Sequence, residues 1–232
     1  MSDPKGGRVM TRTKLKDREM PVYTKKEEMF NMISHIVGGV VGIAGMVLCI
    51  IFSALHHNGY GLAGSIVFGV SMILLYTMSS VYHGLKPGMG KRVMQVFDHC
   101  TIYVLIAGSY TPIILKFMPA PRSYVFLGVI WLIALTGIAI KLLWIDAPRL
   151  IGTALYLALG WAIAFDFGVV LSMPAPAIAL LAAGGLSYTV GGVIYIAKKP
   201  NLGKMIGFHE LFHLFVIVGS VCHYLMVFLY VL

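Results

Sequence analysis

The chain has 232 residues, of which 59% are hydrophobic and only 12% charged, with a formal net charge of +9. A soluble domain carries about 25% charged residues, so the composition excludes an ordinary soluble fold. The positive excess reads as membrane-surface charge, and no nucleic acid is expected as a partner because no soluble domain is left to carry such a site.

Residues 1–28 are polar and basic and lack the apolar stretch of a secretory signal. They are expected to form a flexible cytosolic tail. From there on, mostly apolar runs of roughly twenty or more residues recur, enough to cross about 30 Å of hydrocarbon as helix. They predict spans at 30–55, 61–83, 93–116, 124–144, 150–172, 176–197 and 205–232. The connections are short and hold turn residues, as in "HHNGY", "GLKPGMGKR" and "KKPNLGK". A membrane β-barrel would alternate over about ten residues, and no such alternation occurs. The expected fold is all-α, a seven-helix transmembrane domain over residues 29–232. Cys49, Cys100 and Cys222 all lie in apolar runs. Their odd number and spacing fit neither a disulfide framework nor a thiolate metal site, so they read as packing residues.

Sixteen of the eighteen lysines and arginines fall in the tail or in the loops after the second, fourth and sixth spans; Lys116 and Arg122 fall on the other face. The positive-inside rule then puts the N-terminus in the cytosol and the C-terminus outside.

An ionisable side chain inside a span is costly and is a functional candidate by default. The set is His35, His83, Asp98, His99, Asp166, His209, Glu210, His213 and His223. At about 1.5 Å per helical residue from the nearest basic marker, His83 lies roughly 5 Å deep, Asp98 roughly 9 Å, and His209 and His213 roughly 8 and 13 Å. Three spans thus bring polar groups to one shallow cytosolic layer. His209 and His213 are four residues apart and share a helix face; neutral imidazoles there suit zinc, but a tetrahedral site needs more ligands. His223 lies about 15 Å further along the helix, out of reach, whereas His83 fits in depth. Asp98 is either a fourth ligand or the holder of a water at the metal, and Ser79, one turn before His83, faces the same way. His35 could reach this layer. His99 reads as structural, and Asp166 and His223 belong to a separate contact or cavity in the outer half.

The stretch His209-Glu210-Leu211-Phe212-His213 is also a literal H-E-x-x-H, the helix signature of zinc proteases, in which Glu210 would be the general base. Two readings of one motif therefore stand side by side.

"SSVYHG" (79–84), "FDHCTIYVLIAGSYTP" (97–112) and "HELFHLFVIVGSVCHY" (209–224) resemble the bacterial hemolysin III proteins, part of the progestin and adipoQ receptor superfamily that includes the adiponectin receptors. "EEMFNMISH" (27–35) resembles the family's entry to span one. The resemblance implies a seven-helix bundle with a cytosolic N-terminus and a zinc ion held by His83, His209 and His213. It implies that Asp98 contacts the water at that zinc, that Ser79 is the serine of the S-x-x-x-H motif, and that Glu210 is incidental. The chemistry it implies is hydrolysis of lipid amides, with a membrane lipid as substrate or ligand within the bundle, in the bacterial inner or plasma membrane. The alternative is a non-enzymatic regulator or sensor of membrane homeostasis with structural zinc. A pore former and a membrane zinc protease are further and weaker readings.

Overall fold

A computed structural model of the chain describes residues 13–203 and 206–232. The first twelve residues of the expected tail, and Lys204 with Met205, lie outside the described residues.

The described residues form eight α-helices in chain order: α1 (Lys25–Leu55), α2 (Gly59–Gly84), α3 (Met89–Phe117), α4 (Arg122–Leu143), α5 (Arg149–Gly160), α6 (Phe167–Leu171), α7 (Ala175–Ala197) and α8 (Phe208–Tyr230). Among the described residues there is no strand. Six helices, all but α5 and α6, are long and apolar enough to cross a membrane. The apolar side chains facing outwards on α1 and α4, such as Val40, Val41, Leu132 and Leu135, are exposed. A soluble monomer rarely displays so large an apolar surface; in a bilayer it faces lipid.

The first helix starts earlier than hydropathy predicts. Thr24 accepts a hydrogen bond from the Glu27 amide at 3.3 Å, and Glu27 Oε2 accepts one from the Thr24 amide at 2.6 Å. This capping box satisfies two of the four amides a helix start leaves open and brings Glu27 and Glu28 into α1. The preceding residues, expected as flexible tail, lie against the bundle: the 3-10 turn Leu15–Asp17 contacts α3, and Tyr23 stacks on His209.

The predicted fifth span is not one helix. It is divided into α5, a 3-10 turn at Ala162–Phe165, and α6. A break at membrane depth must have its backbone groups satisfied from within the protein. Tyr110 of α3 does this. Its hydroxyl donates to the Gly160 and Leu159 carbonyls at 2.8 and 3.1 Å and accepts from the Ile163 amide at 3.0 Å. Asp166 then accepts from the Val169 amide at 3.3 Å, capping α6, and forms an ion pair with Arg122.

Within the bundle, α2 lies between α1 and α3, α7 pairs with α8, and α3 also meets α4, α5 and α8. Small residues permit the close α2–α3 crossing. A Cβ on Gly64 would fall 2.5 Å from the Pro112 backbone, and one on Gly108 would fall 2.3 Å from Ser71 Oγ. Without a hydrophobic drive between helices in lipid, such close backbone approach is a principal source of association. α8 packs on α7 and α1 and also meets α3, and its start lies beside the end of α2.

Candidate metal centre

His83 stands near the end of α2, and His209 and His213 stand one turn apart at the start of α8. All three are buried, and their ligand nitrogens lie within 4.8 Å of one another. His83 Nε2 and His209 Nε2 are 3.3 Å apart. Tetrahedral coordination at 2.0–2.1 Å separates two donor nitrogens by about 3.4 Å, so this edge already has the right length. A neutral imidazole donor set is chemically suited to zinc, copper, iron or nickel rather than to magnesium or calcium.

The ring of His83 is held from behind. Its Nδ1 lies 2.7 Å from Glu28 Oε2, and the other oxygen of Glu28 lies 2.8 Å from Lys91 Nζ. Lys91 also donates to the Tyr82 and Leu85 carbonyls at 3.0 and 3.1 Å, closing the end of α2. A carboxylate on the far nitrogen of a ligand histidine fixes its tautomer and aims the near nitrogen at the metal. Tyr23 covers His209, with centroids 4.9 Å apart; burial pushes its phenol well above the usual range, so the ring stays neutral. His35 stacks on His213 at 3.8 Å. A parallel ring stack does not converge two lone pairs on one ion, so His35 braces the ligand set from α1.

Asp98 of α3 is buried beside the Ser79 hydroxyl and within electrostatic range of His83. The sequence-predicted set of Ser79, His83, Asp98, His209 and His213 is thus brought to one place. His99 lines the adjoining cavity, and its carbonyl accepts from the Tyr156 hydroxyl at 3.0 Å. His223 lies further along α8 with its ring edge on Tyr188, and it lines the same cavity as Asp98, His209 and His213 rather than the separate one expected. Asp166 is occupied in capping α6.

The H-E-x-x-H question has a structural answer. Glu210 Oε1 accepts from Asn31 Nδ2 at 2.6 Å, and Oε2 accepts from the Gly207 amide at 2.9 Å. Both oxygens are engaged in capping α8 and tying it to α1. A protease general base would need one free to meet a water.

Beside the histidines runs a cavity of about 650 Å³ bounded mainly by α3, α4, α5, α7 and α8. Asp98, His209 and His213 line its wall, Arg18, Lys141 and Arg149 its basic end, and Ile163, Val170 and Ile178 its apolar depth. Sequence reasoning missed Glu28, Lys91, Tyr23 and Asn31. The signal available for two of them was the i,i+3 spacing of Glu28 and Asn31, which puts both on one face just where the chain turns apolar.

Apolar helices around a buried three-histidine cluster define a multi-pass membrane protein with a candidate metal centre. A sequence profile described as "Haemolysin-III related" matches residues 23–224, and the chain belongs to that family. It is 35% identical over 210 residues to the hemolysin-3 homolog of Bacillus subtilis (strain 168), covering 90% of this chain and 96% of that protein. It is 32% identical over 208 residues to hemolysin-3 of Bacillus cereus, covering 89% and 93%. The similarity extends to the monocyte to macrophage differentiation factor of Homo sapiens, at 28% over 166 residues, 68% of this chain and 66% of that protein.

Proposed function

We propose that this protein is a zinc-dependent hydrolase that cleaves an acyl or amide bond of a membrane lipid near the cytosolic face. Residues 29–232 form its membrane domain, in which α5, the turn and α6 together make the fifth of seven spans. What supports the reading above all is the three-histidine cluster, two members of which, His209 and His213, line with Asp98 a cavity of largely apolar lining.

His83, His209 and His213 would hold the metal through ring nitrogens, with Glu28 fixing the first of them. Zinc bound there supplies Lewis-acid polarisation of a carbonyl and a lowered pKa for water. Asp98 orients the attacking water and takes a proton on its carboxylate. The Ser79 hydroxyl, buried beside Asp98 and without a hydrogen-bond partner among the described residues, is the donor proposed for the oxygen that gains charge as the carbonyl is attacked. The apolar depth of the cavity holds the acyl chain away from water.

The test is fatty-acid release from a native lipid extract, followed by mass spectrometry, with metal content measured in parallel. Wild type should release acid; Asp98→Asn should retain metal and lose about 10²–10⁴-fold in rate; Glu210→Gln should keep both. No release by metal-loaded wild type across a broad lipid panel would favour the regulator. That second reading draws support from the way the histidines and Glu28 join α1, α2 and α8 whether or not turnover occurs.

A further inference from the structure

We propose that the basic end of the cavity is a binding site for the oxyanion of a single-chain acidic lipid, with Arg18 and Arg149 as its principal donors. This rests on reading the cavity as a lipid site and specifies which lipid it selects. Arg149 opens α5 with its guanidinium over the rings of Tyr195 and Phe208, Cζ standing 5.1 and 5.8 Å from their centroids. Its Nη1 is buried and has no hydrogen-bond partner among the described residues. Arg18, whose carbonyl accepts from the Arg92 guanidinium, lines the same cavity end, and its Nη1 is likewise buried and unpartnered. Lys141 is the third cation there; its Nζ has a weak contact, 3.4 Å, to the Ile145 carbonyl. Two carboxylates face them. Asp146 lies 3.8 Å from Arg18 Nε, and Glu19 is exposed at the rim. Neither reaches the two buried Nη1 groups.

A buried guanidinium N–H without an acceptor is expensive, and the planar fork of arginine matches phosphate and carboxylate oxygens. One aromatic ring separates this fork from the metal centre: the Tyr195 centroid is 5.1 Å from Arg149 Cζ and 5.9 Å from that of His209. A ligand that fills both places carries its charge a few bonds from its acyl carbonyl. A lysophosphatidate or an N-acyl amino acid does so. The volume, about 650 Å³, suits one small ligand, so a single acyl chain occupies the apolar depth.

The experiment titrates the full-length protein in neutral detergent and follows fluorescence of Trp161, which lines the cavity. The probes are oleoyl lysophosphatidic acid, N-oleoylglycine, neutral monooleoylglycerol and inorganic phosphate, each before and after chelation of metal. Both acidic lipids should bind at least about tenfold tighter than monooleoylglycerol, with or without metal, and inorganic phosphate far more weakly. Arg18→Gln and Arg149→Gln should each remove most of that preference, lowering acidic-lipid affinity far more than monooleoylglycerol affinity, with circular dichroism reporting that the variants are folded. Equal affinity for acidic and neutral lipids overturns the proposal. So does a preference that survives both variants and vanishes on chelation, because the metal is then the anion site. Phosphate binding as tightly as the lysolipid would make this a free-anion site and overturn it too. Because no turnover is read, acidic preference without hydrolysis leaves the anion site standing and counts against the hydrolase; hydrolysis without preference does the reverse.

Discussion

Glu28 serves two partners with its two oxygens, the Nδ1 of His83 and the ammonium of Lys91. Removing its charge while keeping its shape should leave the ligands present but poorly aimed. Glu28→Gln is therefore expected to weaken metal binding by about 10–100-fold, read by competition with a chromophoric chelator; unchanged affinity would reduce Glu28 to a packing residue. Glu210 is predicted to behave differently. Glu210→Ala strands the Asn31 amide and the Gly207 N–H and should cost about 1–3 kcal/mol of stability, seen as a lower unfolding temperature in detergent, with metal affinity retained. Loss of metal with no loss of stability would return Glu210 to the chemistry. The contrast marks what single residues disclose in a sequence. His209 and His213 announce themselves by helical spacing, and His83 joins them because depth from a basic loop is a one-dimensional quantity. Glu28 does not, because its partner is 55 positions away and its setting among tail charges looks solvated. Lys91 served as a surface marker in the charge count, yet it is 5% exposed and committed to a buried network.

Among the elements, the segment from α5 to α6 departs most from expectation. Hydropathy is blind to this break, because residues 150–172 are nearly all apolar and a smooth apolar run reads as one helix whether or not it bends. Asp166 was visible as an intramembrane charge, but its second partner, Arg122, lies 44 positions away, and the break itself is served by Tyr110, also far away in sequence. Tyr110→Phe keeps the ring and deletes the hydroxyl that serves both sides of the break. The Ile163 amide and the Gly160 carbonyl then face apolar surroundings, and a loss of about 1–3 kcal/mol is expected. Thermal unfolding should report it, and metal content should not change, because the break lies at the apolar depth of the cavity and not at the histidines. A variant as stable as wild type would mean that the break is held by packing alone. The other element boundaries were readable to within a few residues because turn residues and caps are local, as Asn58 illustrates by accepting from the Gly61 amide at 2.8 Å at the start of α2.

For the whole molecule, the proposed seven-span topology makes the broken segment cross the bilayer, and two independent features favour that crossing. The first is charge. If the segment crosses, sixteen basic residues share one face and two the other. If it does not, Lys198, Lys199 and Lys204 join Lys116 and Arg122, and the division falls to thirteen against five. Lys91, Arg18, Lys141 and Arg149 are engaged in the site or the cavity, but the remaining twelve on that face are enough to set orientation. The second is the histidine cluster. His83 lies at the end of α2 and His209 at the start of α8, and their rings touch at 3.3 Å. The chain must therefore cross an even number of times between them. With α3, α4 and α7 counted, the proposed topology gives the fourth crossing to the α5–α6 segment. Both favour the proposed topology of seven spans, with the ends on opposite sides and the N-terminus in the cytosol. Reporter fusions at each end, one active only in the cytosol and one only outside it, should give complementary signals in intact cells. Neutralising Lys91, Lys141 and Arg149 together should leave that pattern unchanged. Finding both ends on one side would remove the fifth crossing and would also mean that His83 and His209 cannot share a metal within one chain.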